Sequence, residues 1–439
     1  MNRQTVFAIL LALAFLTAGY AQSLDSAKLD QFLDRLAEKN KGMGSLALAR
    51  DGKLLYTRSF GYRQINGDEK KPLTADTKYR ISSITKTYTA VMIFQLIEEG
   101  NLRLIDTLDT FFPQIPNAGR ITIEHILAHR SGIHDLEADG AWRMQARTPD
   151  EVLARLAQGQ PDFEPGARHR YSNAGYVLLG YIVEKVDGKP YQEALKERIT
   201  SRIGLSDTYL GTGNTDPLKN EALSYRYLGT WKEAAEPDFS VPGGAGSILS
   251  TPTDMVAFIQ ALFDGKLISP GSLKQMCTMQ EAEGMGLEAF SFAGKTLYGH
   301  TGGSSSSGAW LAYFPDEKLA LAYTTNAKIH PVREIVSGVL DIYWQRPFSI
   351  PTFDSFEISE DVLKRYVGVY TLPGTPAKLT FTREGTTLYF QPGAESAVPL
   401  EATAEDKFKI EPFAVFDFDA AKGQVTITRA GQSRVFTKQ

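Results

Sequence analysis

The stretch that constrains this chain most runs from residue 79 to residue 100. Tyr79-Arg80-Ile81 reads as the end of a buried strand, and Val91, Ile93, Phe94, Leu96 and Ile97 follow at helical spacing until Gly100 closes the helix. Between strand and helix lies Ser83-Ile84-Thr85-Lys86. Positions i and i+3 of a helix share a face, so the Lys86 amine reaches the Ser83 hydroxyl. The hydroxyl also stands at the helix N-terminus, where free N–H groups and the dipole favour developing negative charge. A serine is a weak nucleophile until a neighbour takes its proton, and a lysine of depressed pKa does so. The tetrapeptide alone has a plainer reading, a serine helix cap with a lysine nearby by chance. Other parts of the chain must decide.

The 439 residues are 43% hydrophobic and 22% charged, the composition of an ordinary globular protein of about two domains. A formal net charge of -4, without a basic stripe, argues against a nucleic-acid partner. Residues 1–21 stand apart. Arg3 supplies a positive start, residues 6–16 form an apolar run too short to span a bilayer, and Gly19-Tyr20-Ala21 offers small residues for cleavage. The expectation is a signal peptide cut after Ala21, leaving a soluble, secreted or periplasmic chain with no membrane span. Cys277 is the only cysteine, so the fold carries no internal disulfide, and it reads as a small buried hydrophobe.

In order, residues 26–39 form an amphipathic helix with Leu29, Phe32, Leu33 and Leu36 on one face. Asp51-Gly52 joins a hairpin of residues 44–50 and 53–60. Residues 121–133 suggest a short helix closed by Gly132, with His125 and His129 at i, i+4. The segment lacks the His-Glu-x-x-His order and a third ligand, so a structural role is expected, with no metal and no cofactor. A helix over 149–158 precedes Tyr171-Ser172-Asn173, which opens a helix over 174–186. In an extended segment Tyr171 and Asn173 point the same way; on the triplet alone, a Ser/Asn helix cap with a packed aromatic is the better account. The glycine-rich residues 242–255 lack the Gly-Lys-Ser/Thr of a phosphate loop and read as tight backbone packing, with Ser250, Thr251 or Thr253 capping the next helix. Residues 298–308, with four consecutive serines, read as a loop beside a sheet edge leading into strands 309–314 and 319–324. Pro347 and Pro351 mark a linker over 347–358. Eight short strands follow, at 368–370, 377–381, 387–391, 397–400, 408–410, 414–417, 424–428 and 434–437, the pattern of a small antiparallel barrel or sandwich.

Ser83-x-x-Lys86, Tyr171-Ser172-Asn173 and His300-Thr301-Gly302, in this order and spacing, resemble the three motifs of the serine β-lactamase and penicillin-binding protein superfamily. The likeness is closest to the branch of class C β-lactamases, D-alanyl-D-alanine carboxypeptidases and related esterases, and residues 79–90, 121–133 and 243–258 share it. The resemblance implies an α/β fold: an antiparallel sheet flanked by helices, with an all-helical subdomain inserted between its first and last strands. This fold would occupy residues 22–346, and residues 359–439 resemble the lipocalin-like barrels appended to some members. It implies Ser83 as nucleophile, Lys86 and Tyr171 sharing the proton transfers, Asn173 bonding Lys86 or substrate, and backbone N–H groups of Ser83 and Gly303 as oxyanion hole, beside Thr301 and Gly302. Which of Lys86 and Tyr171 is the base stays open. His300 stands where carboxylate-binding members carry lysine, and a neutral histidine anchors a carboxylate weakly while donating a hydrogen bond. Arg130 also departs, where relatives often have threonine. The expected function is a secreted serine hydrolase of a peptide, amide or ester bond, of D-amino-acid peptidase, amidase or esterase type. Its partners are small-molecule or peptide substrates, cell-wall derived ones among them. The alternative is a β-lactamase, or a β-lactam-binding sensor that acylates with little turnover.

Overall fold

Along the strand Gly42–Arg50 the side chains alternate between two hydrophobic layers, which is why all but the last residue are buried. Leu46 and Leu48 face one cluster, Ala47 and Ala49 the other. This is β1 of a six-stranded antiparallel sheet with β2 (Lys53–Phe60), β3 (Glu288–Phe292), β4 (Lys295–Gly303), β5 (Gly308–Phe314) and β6 (Leu319–Lys328), ordered β3-β4-β5-β6-β1-β2. The first strand is thus paired to the last, Leu48 opposite Leu321 and Ala47 opposite Ala322. Helices α1 (Ser26–Glu38) and α5 (Val332–Tyr343) cover the leucine face through Phe32, Leu36, Ile335 and Val339. The alanine face, with its smaller side chains, admits helix α4 (Pro252–Phe263) closely. A computed structural model describes residues 24–439 apart from 137–139, 228–229, 282, 355, 376, 394–396, 411–413 and 430. The signal-peptide reading of residues 1–21 lies outside the described residues. Among them, no helix is long and apolar enough to cross a membrane.

Between β2 and β3 lies the insertion, which carries α2 (Thr85–Glu98) and α3 (Asn173–Asp187). It is mainly helical, but short strand pairings also run through it: Tyr79–Arg80 and Tyr209–Leu210 both pair with Ile248–Ser250. Thr251 caps α4, with Pro252 in its first turn. The short helix expected over 121–133 ends sooner, at Ile123–Leu127 with Ala128 as cap. Gly132 has φ 73° and lies against the Phe163 backbone, so it serves a later turn and not the helix end.

Two strands of the six-stranded sheet were not anticipated. β3 and β4 hold the sheet edge, and β4 includes Tyr298, His300, Thr301 and three of the glycines that read as loop. Glycine and polar residues carry weak strand preference on their own. Register with the apolar β5 imposes the conformation, His300 opposite Leu311 and Gly302 opposite Ala309. β6 likewise continues past Thr324 to Lys328, through polar residues paired to β1.

The C-terminal strands close into an antiparallel barrel of β7 (Gly368–Thr371), β8 (Lys378–Glu384), β9 (Thr387–Pro392), β10 (Val398–Ala404), β11 (Lys407–Ile410), β12 (Ala414–Asp419), β13 (Gln424–Arg429) and β14 (Gln432–Lys438). Its interior is filled by aromatics, with the Phe381 ring 5.0 Å from Phe418 and 5.4 Å from Phe390. Lys41 meets Glu401 of β10 at 2.8 Å, tying the barrel to the sheet side of the molecule. Phe381 is fully buried at the centre of that interior. Phe381→Ala is expected to cost ~3–5 kcal/mol of barrel stability, read as a lowered urea midpoint.

Candidate active site

The chain turns from strand to helix at Ser82, whose φ of 48° is unusual for a residue with a side chain. Ser83 lies in a 3-10 turn, Ser82–Ile84, directly before α2, so the hydroxyl stands on the first turn leading into the helix. Three segments then converge on the fully buried Lys86. Its Nζ lies 3.1 Å from Ser83 Oγ, 2.8 Å from Asn173 Oδ1 and 2.8 Å from the Ala245 carbonyl.

Each partner is positioned locally. Ser172 caps α3 by accepting from the Gly175 N–H, leaving Tyr171 and Asn173 to line the same cleft on either side of the cap. The Asp135 carboxylate accepts from the backbone N–H groups of Asn173 (3.0 Å) and Ala174 (3.2 Å), where charge-assisted bonds at a helix start are strongest. The glycine-rich segment reaches Lys86 because Gly244 packs backbone to backbone on Gly180 of α3, as the sequence suggested. Thr89 Oγ1 donates to the Gly244 carbonyl at 2.6 Å and fixes it there.

Tyr171 lies under Lys86, whose Nζ is 4.8 Å from the ring centroid. Burial is the main cause that pushes its phenol well above the usual tyrosine range, opposed by the Ser83 hydroxyl. The Tyr171 ring also stacks on His129, with centroids 4.5 Å apart. His129 Nδ1 accepts from the Ser172 N–H at 3.0 Å, and burial holds its imidazole well below the usual range, so it is neutral. His125 instead accepts from the Thr122 N–H in a capping box, so the i, i+4 histidines serve structure. Arg130 donates to the Gly166 carbonyl at 2.9 Å. Among the described residues no group of His, Cys, Asp and Glu is arranged to hold a metal.

On the far side, β4 delivers His300, Thr301, Gly302 and Gly303 to the cleft, which has a volume of about 870 Å3. Gly302 lies flush against the Ser83 turn: a methyl there would overlap the Ile81 carbonyl oxygen and stand 3.2 Å from the Ser83 nitrogen. That approach brings the end of β4 beside the Ser83 amide. His300 Nδ1 is 2.6 Å from the Thr301 carbonyl, which can only accept, so the proton sits on Nδ1. Burial lowers the His300 pKa, opposed by Glu288, and the ring is neutral at pH 7. The expected hydrogen-bond donor is therefore, at Nε2, an acceptor. Glu288 was not anticipated, nor were Asp135, the Ala245 carbonyl and the stacking of His129; each lies far in sequence from the motif it supports. Glu288 accepts from the Thr301 N–H at 2.8 Å.

Two outcomes follow from this packing. Gly302→Ala should lose at least ~100-fold in turnover while retaining the wild-type circular dichroism, since it displaces the strand end from the Ser83 turn. His129 and His300 are neutral in the fold but protonate at ~6.5 when unfolded, so the unfolded state binds more protons as pH falls. Stability is therefore flat above pH ~6.5 and drops below it, by up to ~1.4 kcal/mol per pH unit for each ring. Urea midpoints of wild type and His300→Asn across pH 5–8 check this: the variant should show the shallower decline.

Comparisons agree with this geometry. Residues 29–336 match the β-lactamase family model. The chain is 28% identical to penicillin-binding protein 4* of Bacillus subtilis over 420 residues, 88% of this chain and 92% of the relative. The D-amino acid amidase of Ochrobactrum anthropi, solved with D-phenylalanine, is similar at a TM-score of 0.66 and 27% identity, over 73% of this chain and 99% of the amidase. An octameric penicillin-binding protein homologue from Pyrococcus abyssi is similar at a TM-score of 0.64 and 25% identity, over 94% of this chain and all of that one, 100%. The chain belongs to the β-lactamase family and is one of its serine hydrolases.

Proposed function

We propose that this protein is an exported hydrolase that opens the amide, peptide or ester bond of a D-amino-acid compound through an acyl-enzyme on Ser83. The observation that carries the reading is the set of contacts around Lys86. As an ammonium it donates to Ser83 Oγ, Asn173 Oδ1 and the Ala245 carbonyl. Deprotonated, it keeps two N–H groups for the two carbonyl acceptors and turns its lone pair on the Ser83 hydroxyl, so one geometry serves both charge states. Ser83 Oγ then attacks the carbonyl carbon and its proton passes to Lys86. The backbone N–H groups of Ser83 and Gly303 receive the oxyanion, donors of a kind worth ~100–1,000-fold each. Tyr171, neutral because it is buried, carries a proton to the departing amine or alcohol. Water then attacks the Ser83 ester, its proton returning through the same pair, and the acid is released.

Two features support the D-amino-acid class. The amidase similar to this chain is named for D-amino acids and was solved with D-phenylalanine. The neutral His300 gives the cleft no fixed cation where a β-lactam or a terminal carboxylate would anchor, which disfavours the β-lactamase reading. Export rests on the short charged and apolar start, residues 1–21.

The test is steady-state turnover of D-phenylalaninamide, a D-alanyl p-nitroanilide, a p-nitrophenyl ester and a chromogenic cephalosporin by wild type, Ser83→Ala and Tyr171→Phe. Ser83→Ala should lose at least ~10,000-fold on every substrate turned over. Tyr171→Phe should lose ~100–10,000-fold. The cephalosporin should be the poorest substrate. Labelling of Ser83 by a fluorescent penicillin with no turnover of any substrate would replace this reading with that of a sensor.

A further inference from the structure

We propose that Glu288 and His300 form a leaving-group subsite that prefers a cationic or N–H-rich leaving group and rejects a carboxylate. The inference rests on the hydrolase reading above and names the part of the substrate that faces Tyr171.

His300 Nδ1–H is spent on the Thr301 carbonyl at 2.6 Å. The neutral ring therefore offers a lone pair at Nε2, and a lone pair binds N–H and repels a carboxylate. Glu288 adds a carboxylate on the same wall. Its Oε1 lies 4.0 Å from His300 Nδ1, and its Oε2 is oriented by the Thr301 N–H at 2.8 Å. The Glu288 side chain is 16% exposed and lines the cleft. Glu283 lines it too, its Oε2 held 2.9 Å from His169 Nε2.

No lysine or arginine among the described residues pairs with either carboxylate. Arg80, Arg143, Arg226 and Lys232 also line the cleft, and none of them pairs with Glu283 or Glu288 among the described residues. Arg80 donates to Thr215 Oγ1 and the Pro237 carbonyl, and Arg226 to Ser305 and Ser306 Oγ. Lys86 is held by Asn173 and Ala245. The wall beside Tyr171 is thus acidic where a carboxylate-binding member would be basic. Tyr171, His300 and Glu288 line one cleft, with the Tyr171 and His300 ring centroids 6.5 Å apart and the Glu288 carboxylate near enough to act on the Tyr171 phenol, so the leaving group departs beside Glu288. An amine gains positive charge as it takes its proton, and this wall stabilises that charge as it forms.

The experiment holds the acyl group constant as N-acetyl-D-phenylalanyl and varies only the amine released: ethylenediamine (cationic), glycinamide (neutral) or glycine (anionic). Wild-type kcat/KM should fall in that order, by ~10-fold at each step, the size of one charge-assisted hydrogen bond. Glu288→Gln, which can still accept from Thr301, should compress the ratio of cationic to anionic substrate by at least ~10-fold. Equal values, or a preference for the glycine compound, would overturn the subsite and leave the Ser83 hydrolase standing. A loss in Glu288→Gln that is equal for all three substrates would also overturn it, reducing Glu288 to a prop for Thr301. Hydrolysis of none of the three by a Ser83-dependent route would overturn both readings.

Discussion

A lysine amine with no exposure to water is costly unless its N–H groups are met, and much of the described fold is arranged to meet those of Lys86. The acceptors come from residues 83, 173 and 245, that is, from the start of α2, the start of α3 and the glycine-rich segment before α4. Each is held in turn: Asn173 by Asp135, Ala245 by the close crossing of Gly244 on Gly180, and Ser83 by the flush contact with Gly302. Losing any one leaves a buried donor short, at a cost of ~1–3 kcal/mol. The same contacts place the Lys86 amine within reach of the Ser83 hydroxyl, so what satisfies the interior also sets out the pair that the proposed chemistry uses.

The sheet explains how residues so far apart meet. Pairing of β1 with β6 brings the two ends of the hydrolase segment together, and the insertion between β2 and β3 must loop out and return. One face of the sheet is lined by Ala47, Ala49, Ala320 and Ala322, so α4 lies close, and α2 packs on α4 through Tyr88 and Phe258, whose rings stack at 3.6 Å. The cleft opens where the end of β4 meets the start of α2, at an edge of the sheet where strand ends and helix starts expose polar backbone.

Much of this was legible from residues alone. The Asp51-Gly52 turn between β1 and β2, the apolar face of α1 and the close spacing of the barrel strands are strong local signals, and the structure has these elements within a few residues of their expected places. The three motifs also come together in one cleft. What stayed hidden has a common cause. β4 is rich in glycine and polar side chains and becomes a strand only through its register with β5, a long-range effect that no local pattern reports. The proton position on His300 depends on the carbonyl of the next residue, and Asp135, His129 and Glu288 act on motifs 13 to 42 residues away. Side chains that meet through tertiary folding leave no spacing to read.

The account stands on Ser83 as the atom that becomes acylated. Rapid acid quenching of the wild-type enzyme during turnover of an activated D-alanyl ester, followed by peptide mass spectrometry, tests that most directly. The account predicts a D-alanyl mass increment on the peptide containing Ser83, formed within the dead time and lost on further incubation. Turnover at full rate with no increment, or an increment on any other residue, would contradict it.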